Sequence, residues 1–222
     1  GDDVIDGGEG DNVVFGDNGR IEYFGGKLDL ITSTETGTDG DAQGGQDQVT
    51  TGTGNDTIVA GYGADTVNAG AGNNLVIGDS GAMDYGQGTG ALERVETMAP
   101  AFGGDDDIMA GAGHDIVLGG QGGDTIDAGD GDNIVLGDDG LIGYVTADGD
   151  PSDIDLIEGT STDEYGGVDE ITSGSGSDLV VGGRFGDTID AGHGNNLVIG
   201  DSGRITAATS NAVQQLAGIP MT

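Results

Sequence analysis

Aspartate and asparagine recur in this chain at intervals of nine. The series Asp47, Asp56, Asp65, Asn74 returns as Asp106, Asp115, Asp124, Asn133 and again as Asp169, Asp178, Asp187, Asn196. Most of these residues close a G-x-G-x-[DN] turn. Glycine reaches positive φ freely, so such a turn can converge its carbonyls on one point. A calcium ion takes six to eight hard oxygens in a flexible shell. One turn offers a carboxylate and a few carbonyls, about half of that shell, and a turn stacked on it offers the rest. Stacking each turn on the one two units further along pairs Asp47 with Asp65, Asp56 with Asn74, Asp106 with Asp124, Asp115 with Asn133, Asp169 with Asp187 and Asp178 with Asn196.

Other metals fit less well. There is no Cys, and the two histidines, His114 and His193, fall at the variable fourth position of the turn, where they are expected to be bystanders. That argues against Zn2+ and soft-ligand metals. Mg2+ demands a tighter octahedron than a carbonyl-rich turn supplies.

A second set of acids marks a longer period. Gly16-Asp17, Gly78-Asp79, Gly137-Asp138 and Gly200-Asp201 each open a G-D-x-G, and these closing turns recur once per block at a nearly constant interval. Asp3 to Asp17, Asp65 to Asp79, Asp124 to Asp138 and Asp187 to Asp201 all span the same distance along the chain. The constant spacing predicts that each closing Asp completes the last site on its side. Three sites in each complete block, plus the Asp3/Asp17 site, give about ten ions at that shell size.

The elements that must position these residues follow from the full unit, G-x-G-x-[DN]-x-U-x-[GA], where U is Ile or Val. Gly111–Gly119 (GAGHDIVLG), Gly120–Ala128 (GQGGDTIDA) and Gly129–Gly137 (GDGDNIVLG) obey it in sequence. Gly8–Gly16, Gly52–Gly78, Gly174–Gly182 and Gly192–Gly200 do so too, and Gly183–Ala191 departs at Phe185. The pattern resembles the calcium-binding nonapeptide repeat of the RTX family. That resemblance implies a parallel β-roll, secretion by a type I route, and folding in calcium-rich medium.

The residues themselves predict an all-β solenoid. The x-U-x half is a short strand whose side chains alternate. Two units make one coil with two parallel strands. The U residues Ile108, Val117, Ile126, Val135 and Ile171, Val180, Ile189, Val198 should point inward. Alternate units show apolar outer positions, Ile116/Leu118 with Ile134/Leu136 and Leu179/Val181 with Leu197/Ile199, against polar Thr125/Asp127 and Thr188/Asp190. One outer face is therefore apolar and invites cover. The segments between blocks can provide it. Arg20–Thr34 alternates around Gly25-Gly26, a hairpin signal. Leu141–Thr162 has a similar pattern, and Ala82–Pro100 a weaker one. The organisation expected is a partial roll block with hairpin over 1–42, blocks with insertions over 43–101 and 102–164, and a block with the start of another insertion over 165–222.

Composition excludes several functions. Gly is 50 of 222 residues, and 41 Asp plus Glu against 5 Lys plus Arg give a formal charge of -36. Such a surface repels phosphate backbones, so no nucleic-acid partner is expected. No apolar run exceeds three residues, so no transmembrane segment or secretory leader is read. Without Cys there are no disulfides. Glycine lacks the G-X-Y period of collagen. Fixed register between Asp and Gly argues against the disorder that high charge would otherwise suggest.

No catalytic set emerges, so no enzyme activity is expected of this chain. The reading is a calcium-dependent structural module of an extracellular or cell-surface protein, of adhesin or filament type. The alternative is the calcium-binding repeat tail of a type I secreted enzyme, though those tails usually run uninterrupted. Ice binding through outward Thr is disfavoured, because Thr57, Thr66, Thr125 and Thr188 are too sparse for a flat ladder. Gly1 enters mid-unit, and the last segment carries spare apolar residues at Val213, Leu216, Ile219 and Met221. Head-to-tail self-association or a longer tandem array is the partner expectation that follows.

Overall fold

The computed structural model describes residues 1–34, 44–98, 101–145, 149–162 and 164–206. The tail residues Val213, Leu216, Ile219 and Met221, and part of the third predicted hairpin at 146–148, lie outside the described residues. Within them the chain is all-β: 21 strands in three seven-stranded sheets.

Two of the sheets are parallel and form the roll. The first holds Val4–Gly8, Gln48–Thr51, Thr66–Asn68, Asp107–Met109, Thr125–Asp127, Glu170–Thr172 and Thr188–Asp190. The second holds Val13–Phe15, Thr57–Val59, Leu75–Ile77, Ile116–Leu118, Ile134–Leu136, Leu179–Gly183 and Leu197–Asp201. Taken in order, one strand from each makes a coil, and the roll has seven coils. Within a block, neighbouring strands lie two repeat units apart, as Val49 opposite Val67 and Ile108 opposite Ile126. Across block boundaries the register continues without a break, with Val67 opposite Ile108 and Ile126 opposite Ile171. The inter-block segments are looped out, and the stack passes over them.

Alternation in such short strands sends one side chain per strand inward. Val49, Ile58, Val67, Val76, Ile108, Val117, Ile126, Val135, Ile171 and Val180 are fully or almost fully buried in one narrow core. Ile189 packs against it, while Val198 in the last coil is 42 % exposed. Only a glycine column lets the coils approach this closely. Gly113 sits at φ 151°, and a Cβ there would run into the Gly72 carbonyl of the coil below.

The third sheet is antiparallel and built from the inter-block segments. Gly19–Phe24 pairs with Lys27–Ser33, Gly81–Tyr85 with Leu92–Thr97, and Gly140–Gly143 with Leu156–Gly159. All three predicted hairpins are present. They are also zipped edge to edge, and Arg204–Thr206 adds a seventh strand. One row crosses the whole sheet: Ile21, Ile31, Met83, Val95, Ile142, Ile157, Ile205. From Ile31 to Ile205 it packs on the apolar outer face of the second roll sheet, where Leu118, Ile134, Leu136, Leu179 and Val181 are buried in a second core, while Ile21 at the sheet's edge is exposed. The first roll sheet keeps its polar outer positions exposed: Asp107, Thr125, Asp127, Glu170 and Thr172.

Candidate metal centre

The turns lie along the two edges of the roll. At the return edge the chain passes from the second sheet back to the first. At the forward edge it passes from the first to the second. Each coil places one Asp or Asn of the repeat on each edge.

The return edge is aspartate throughout: Asp3, Asp47, Asp65, Asp106, Asp124, Asp169, Asp187. Each backbone N–H donates to Oδ1 of the aspartate one coil on, at 2.7 to 3.1 Å. The forward edge alternates: Asn12, Asp56, Asn74, Asp115, Asn133, Asp178, Asn196. The same N–H to Oδ1 bond links its members at 2.7 to 3.0 Å. Both ladders cross the block boundaries, so Asp65 meets Asp106 and Asp124 meets Asp169, as well as the partners two units away. A fixed two-unit rule misses these boundary pairs. It also omits Asn12, although Gly8–Gly16 obeys the unit.

After the first coil, one oxygen of each ladder carboxylate is thereby used, and in all but Asp178 the other is not. Oδ2 of Asp47, Asp56, Asp65, Asp106, Asp115, Asp124, Asp169 and Asp187 is buried without a hydrogen-bond partner. Oδ2 of Asp178 accepts the Ser173 hydroxyl at 3.1 Å. These oxygens sit beside carbonyls. A Cβ at Gly78 would strike both Asp106 Oδ2 and the Gly119 carbonyl, and one at Gly137 would strike Asp169 Oδ2 and the Gly182 carbonyl. Oxygens from successive turns therefore crowd one point that only glycine leaves open.

The closing acids join the return edge: Asp138 acts on Asp124 as the constant spacing suggests, and the closing acids also bond forward. Asp79 accepts N–H bonds from Gly104 at 3.2 Å and from Gln121, both in the next block. Asp138 accepts from Gly167 at 2.8 Å and from Arg184, and Asp17 accepts from Tyr62 at 2.8 Å. Their contacts run forward because the chain leaves the roll straight after them. The broken turn is rebuilt from two segments, Gly78-Asp79 and Gly103–Asp106, and the acid of the first faces the coils that the second begins. Asp201, in the last coil, is exposed, and its charge acts on Asp187.

Electrostatics make these sites costly as they stand. Burial, reinforced by neighbouring carboxylates, holds Asp79, Asp106 and Asp124 well above the usual carboxylate range. Burial pushes Asp65 and Asp169 up to about 7, and Asp115 and Asp138 up to about 6. A buried carboxylate with an unpartnered oxygen carries a desolvation penalty that a countercharge would remove. No three acidic or His side chains converge into a cage among the described residues. Backbone carbonyls must supply most of any shell, which suits a large hard cation. The donor set fits Ca2+.

The families give the same reading. Residues 1–20, 50–82, 101–135 and 166–204 match the RTX calcium-binding nonapeptide repeat, in four copies. The chain belongs to the RTX calcium-binding repeat family. It is a calcium-dependent repeat module with the family's parallel β-roll. Searches of curated proteins and of solved structures return no match. Among the described residues no helix is long and apolar enough to cross a membrane.

Two features of this RTX roll lay beyond the sequence reading. The variable fourth position carries its own outer ladder on the forward edge. Asp11 accepts from Asn55, Asn55 from Asn73, Asn73 from His114, His114 Nδ1 from Asp132, and Asp132 from Ser177, at 2.7 to 3.0 Å. His114 is thus an exposed strut on that ladder. Asp139 is the other feature, a buried carboxyl with a free Oδ2 between the roll and the third sheet. Only its place after Asp138 in the closing turn could have flagged it.

Proposed function

We propose that this chain is a calcium-stiffened structural module of a secreted or cell-surface protein. The observation that carries the reading is the file of buried Oδ2 atoms without partners. The aspartates of both ladders and the closing acids Asp17, Asp79, Asp138 and Asp201 would hold Ca2+, with turn carbonyls completing each shell. The ion supplies countercharge and ties each turn to the next, so its binding free energy becomes folding free energy. Millimolar calcium is an extracellular condition, and RTX repeats belong to secreted proteins, which supports an extracellular location. A structural role is supported by the third sheet. It braces one side of the roll along its length, at regular intervals and with a core of its own, as a strut requires. A stack of this kind extends by adding coils. The reading therefore includes tandem extension or head-to-tail contact with a second copy.

Small-angle X-ray scattering of the chain tests it. In calcium the radius of gyration should approach roughly 17 Å, the compact value for this length, allowing for some elongation. In chelator it should approach roughly 50 Å, the unfolded value. A compact particle of the same size in both conditions would refute a calcium-dependent module.

A further inference from the structure

We propose that Asn74, Asn133 and Asn196 are built-in substitutes for calcium: on the forward edge their amides close the turns that a cation closes elsewhere. The forward edge then holds ions at alternate coils only, while the return edge holds them at every coil. The inference rests on the calcium reading above and departs from the expectation that these asparagines are ligands.

The geometry begins with the ladder bond. Oδ1 of Asn74, Asn133 and Asn196 accepts the N–H of Asp56, Asp115 and Asp178, each at 3.0 Å. An N–H can only face an acceptor, so this bond fixes which way each amide points. Nδ2 must then occupy the place where an aspartate holds Oδ2. At Asn74 it donates to the Gly72 carbonyl of its own turn at 3.3 Å and to the Ala110 carbonyl of the next coil at 3.0 Å. At Asn133 it donates to the Gly129 carbonyl at 3.1 Å, and at Asn196 to the Ala191 carbonyl. Asn12, in the first coil, accepts no ladder bond among the described residues, and its Nδ2 reaches the carbonyls of Gly8 at 3.2 Å and Gly10 at 2.6 Å and Oδ1 of Asp56 at 2.8 Å.

The aspartate positions show the contrast. Ala110 and Gly119 both end a nonapeptide, so they hold equivalent places above Asn74 and Asp106. Over Asp106 the carbonyl of Gly119 faces a carboxylate oxygen, two acceptors with nothing between them. Over Asn74 the carbonyl of Ala110 faces an N–H donor, and the contact is complete. A cation entering there would meet the positive end of the amide. Asn occupies coils one, three, five and seven of the forward edge, and Asp coils two, four and six. Every carboxylate of that edge therefore lies between asparagine rungs whose amides already donate to turn carbonyls, within their own turn at Asn133 and Asn196 and also across to the next coil at Asn74.

Bound calcium per chain, measured by elemental mass spectrometry after dialysis against saturating calcium, tests this, with circular dichroism confirming the fold of each variant. N74D and N133D should each bind one more ion than the wild type, and the double variant two more. N74A should keep the wild-type count, since an amide that donates is no ligand. D115N should lose one ion and keep its β signal in calcium. An unchanged count in N74D and N133D would overturn the proposal, as would loss of an ion in N74A or the wild-type count in D115N. A wild-type chain that binds no calcium would instead refute the calcium reading itself, which separates the two failures.

Discussion

The roll and the sheet that covers it are built from the same chain by opposite means. In the roll most strands are three residues long, and outside the end coils each buries one Ile or Val side chain in the inner core. Its turns are crowded with buried acids, most of whose second oxygens lack a hydrogen-bond partner. The covering sheet has strands of up to seven residues, a continuous row of Ile, Met and Val beneath it, and four of the five cationic residues: Arg20, Lys27, Arg94 and Arg204. Its cohesion comes from apolar burial and antiparallel pairing. On the proposed function the roll offsets its own charge with bound metal. The covering sheet cannot form alone, because its hairpins become neighbours only when the coils between them stack. On that function, calcium would let the turns close and the coils stack, and the stacked coils would bring the hairpins together.

The roll is most vulnerable at its glycine column. Gly113→Ala puts a methyl group into the Gly72 carbonyl at a φ that L residues avoid, and should cost ~3 kcal/mol or more even in saturating calcium. A melting curve matching the wild type would show that the coils do not need that approach. Met83→Ala attacks the other region. It should cost ~3 kcal/mol by cavity formation, and leave the bound-ion count unchanged. Loss of ions in Met83→Ala would mean that the covering sheet shapes the calcium sites. Asp106→Ala should behave in the opposite way. It removes one ion and raises the calcium concentration needed for folding, with ~2 kcal/mol lost from the ladder bond besides. A wild-type count would remove Asp106 from the ligand set.

Acidity sharpens the same contrast, with opposite signs in chelator and in calcium. The folded carboxyls of Asp65 and Asp169 stand at about 7 and those of Asp115 and Asp138 at about 6, against ~4 in an unfolded chain. Groups raised on folding stabilise the metal-free roll fully below pH ~4, and that contribution is lost as pH rises through 6 and 7. In chelator, β structure should therefore increase from pH 7.5 to pH 4.5. In calcium, protons compete for the same oxygens, so the calcium midpoint should rise as pH falls. Chelated samples with equal β signal at both pH values would contradict the raised carboxyls. Phe185→Gly is the mildest test. Phe185 sits at φ 73°, where glycines serve elsewhere in the roll, and relief of that strain should change stability by no more than ~1 kcal/mol in the favourable direction.

The roll was legible because its information is local. A nine-residue period with Gly and Asp in fixed places dictates turn, strand and inward side chain at once, and Ile108, Val117, Ile126 and Val135 fall where alternation puts them. The hairpins were legible for the same reason, from the apolar-polar alternation around Gly25-Gly26 and its weaker echoes. Their union into one sheet was not. Pairing Ile31 with Met83, or Val95 with Ile142, depends on how far each coil advances the next hairpin, a property of the stack that no single segment holds. Asp79 meets the same limit. Its spacing from Asp65 is regular, but its direction is set by the departure of the chain into a hairpin. Asp and Asn looked equivalent at the ladder positions because both present an Oδ1. What their other atom faces is visible only once the turns are stacked.

If calcium is what lets the acid turns close, far-ultraviolet circular dichroism of the whole chain will report it. In chelator at pH 7.5 the spectrum should be that of a coil. Calcium in the millimolar range should produce the β signal cooperatively, and magnesium at the same concentration should do much less. A full β spectrum in chelator, unchanged by calcium, would contradict the account.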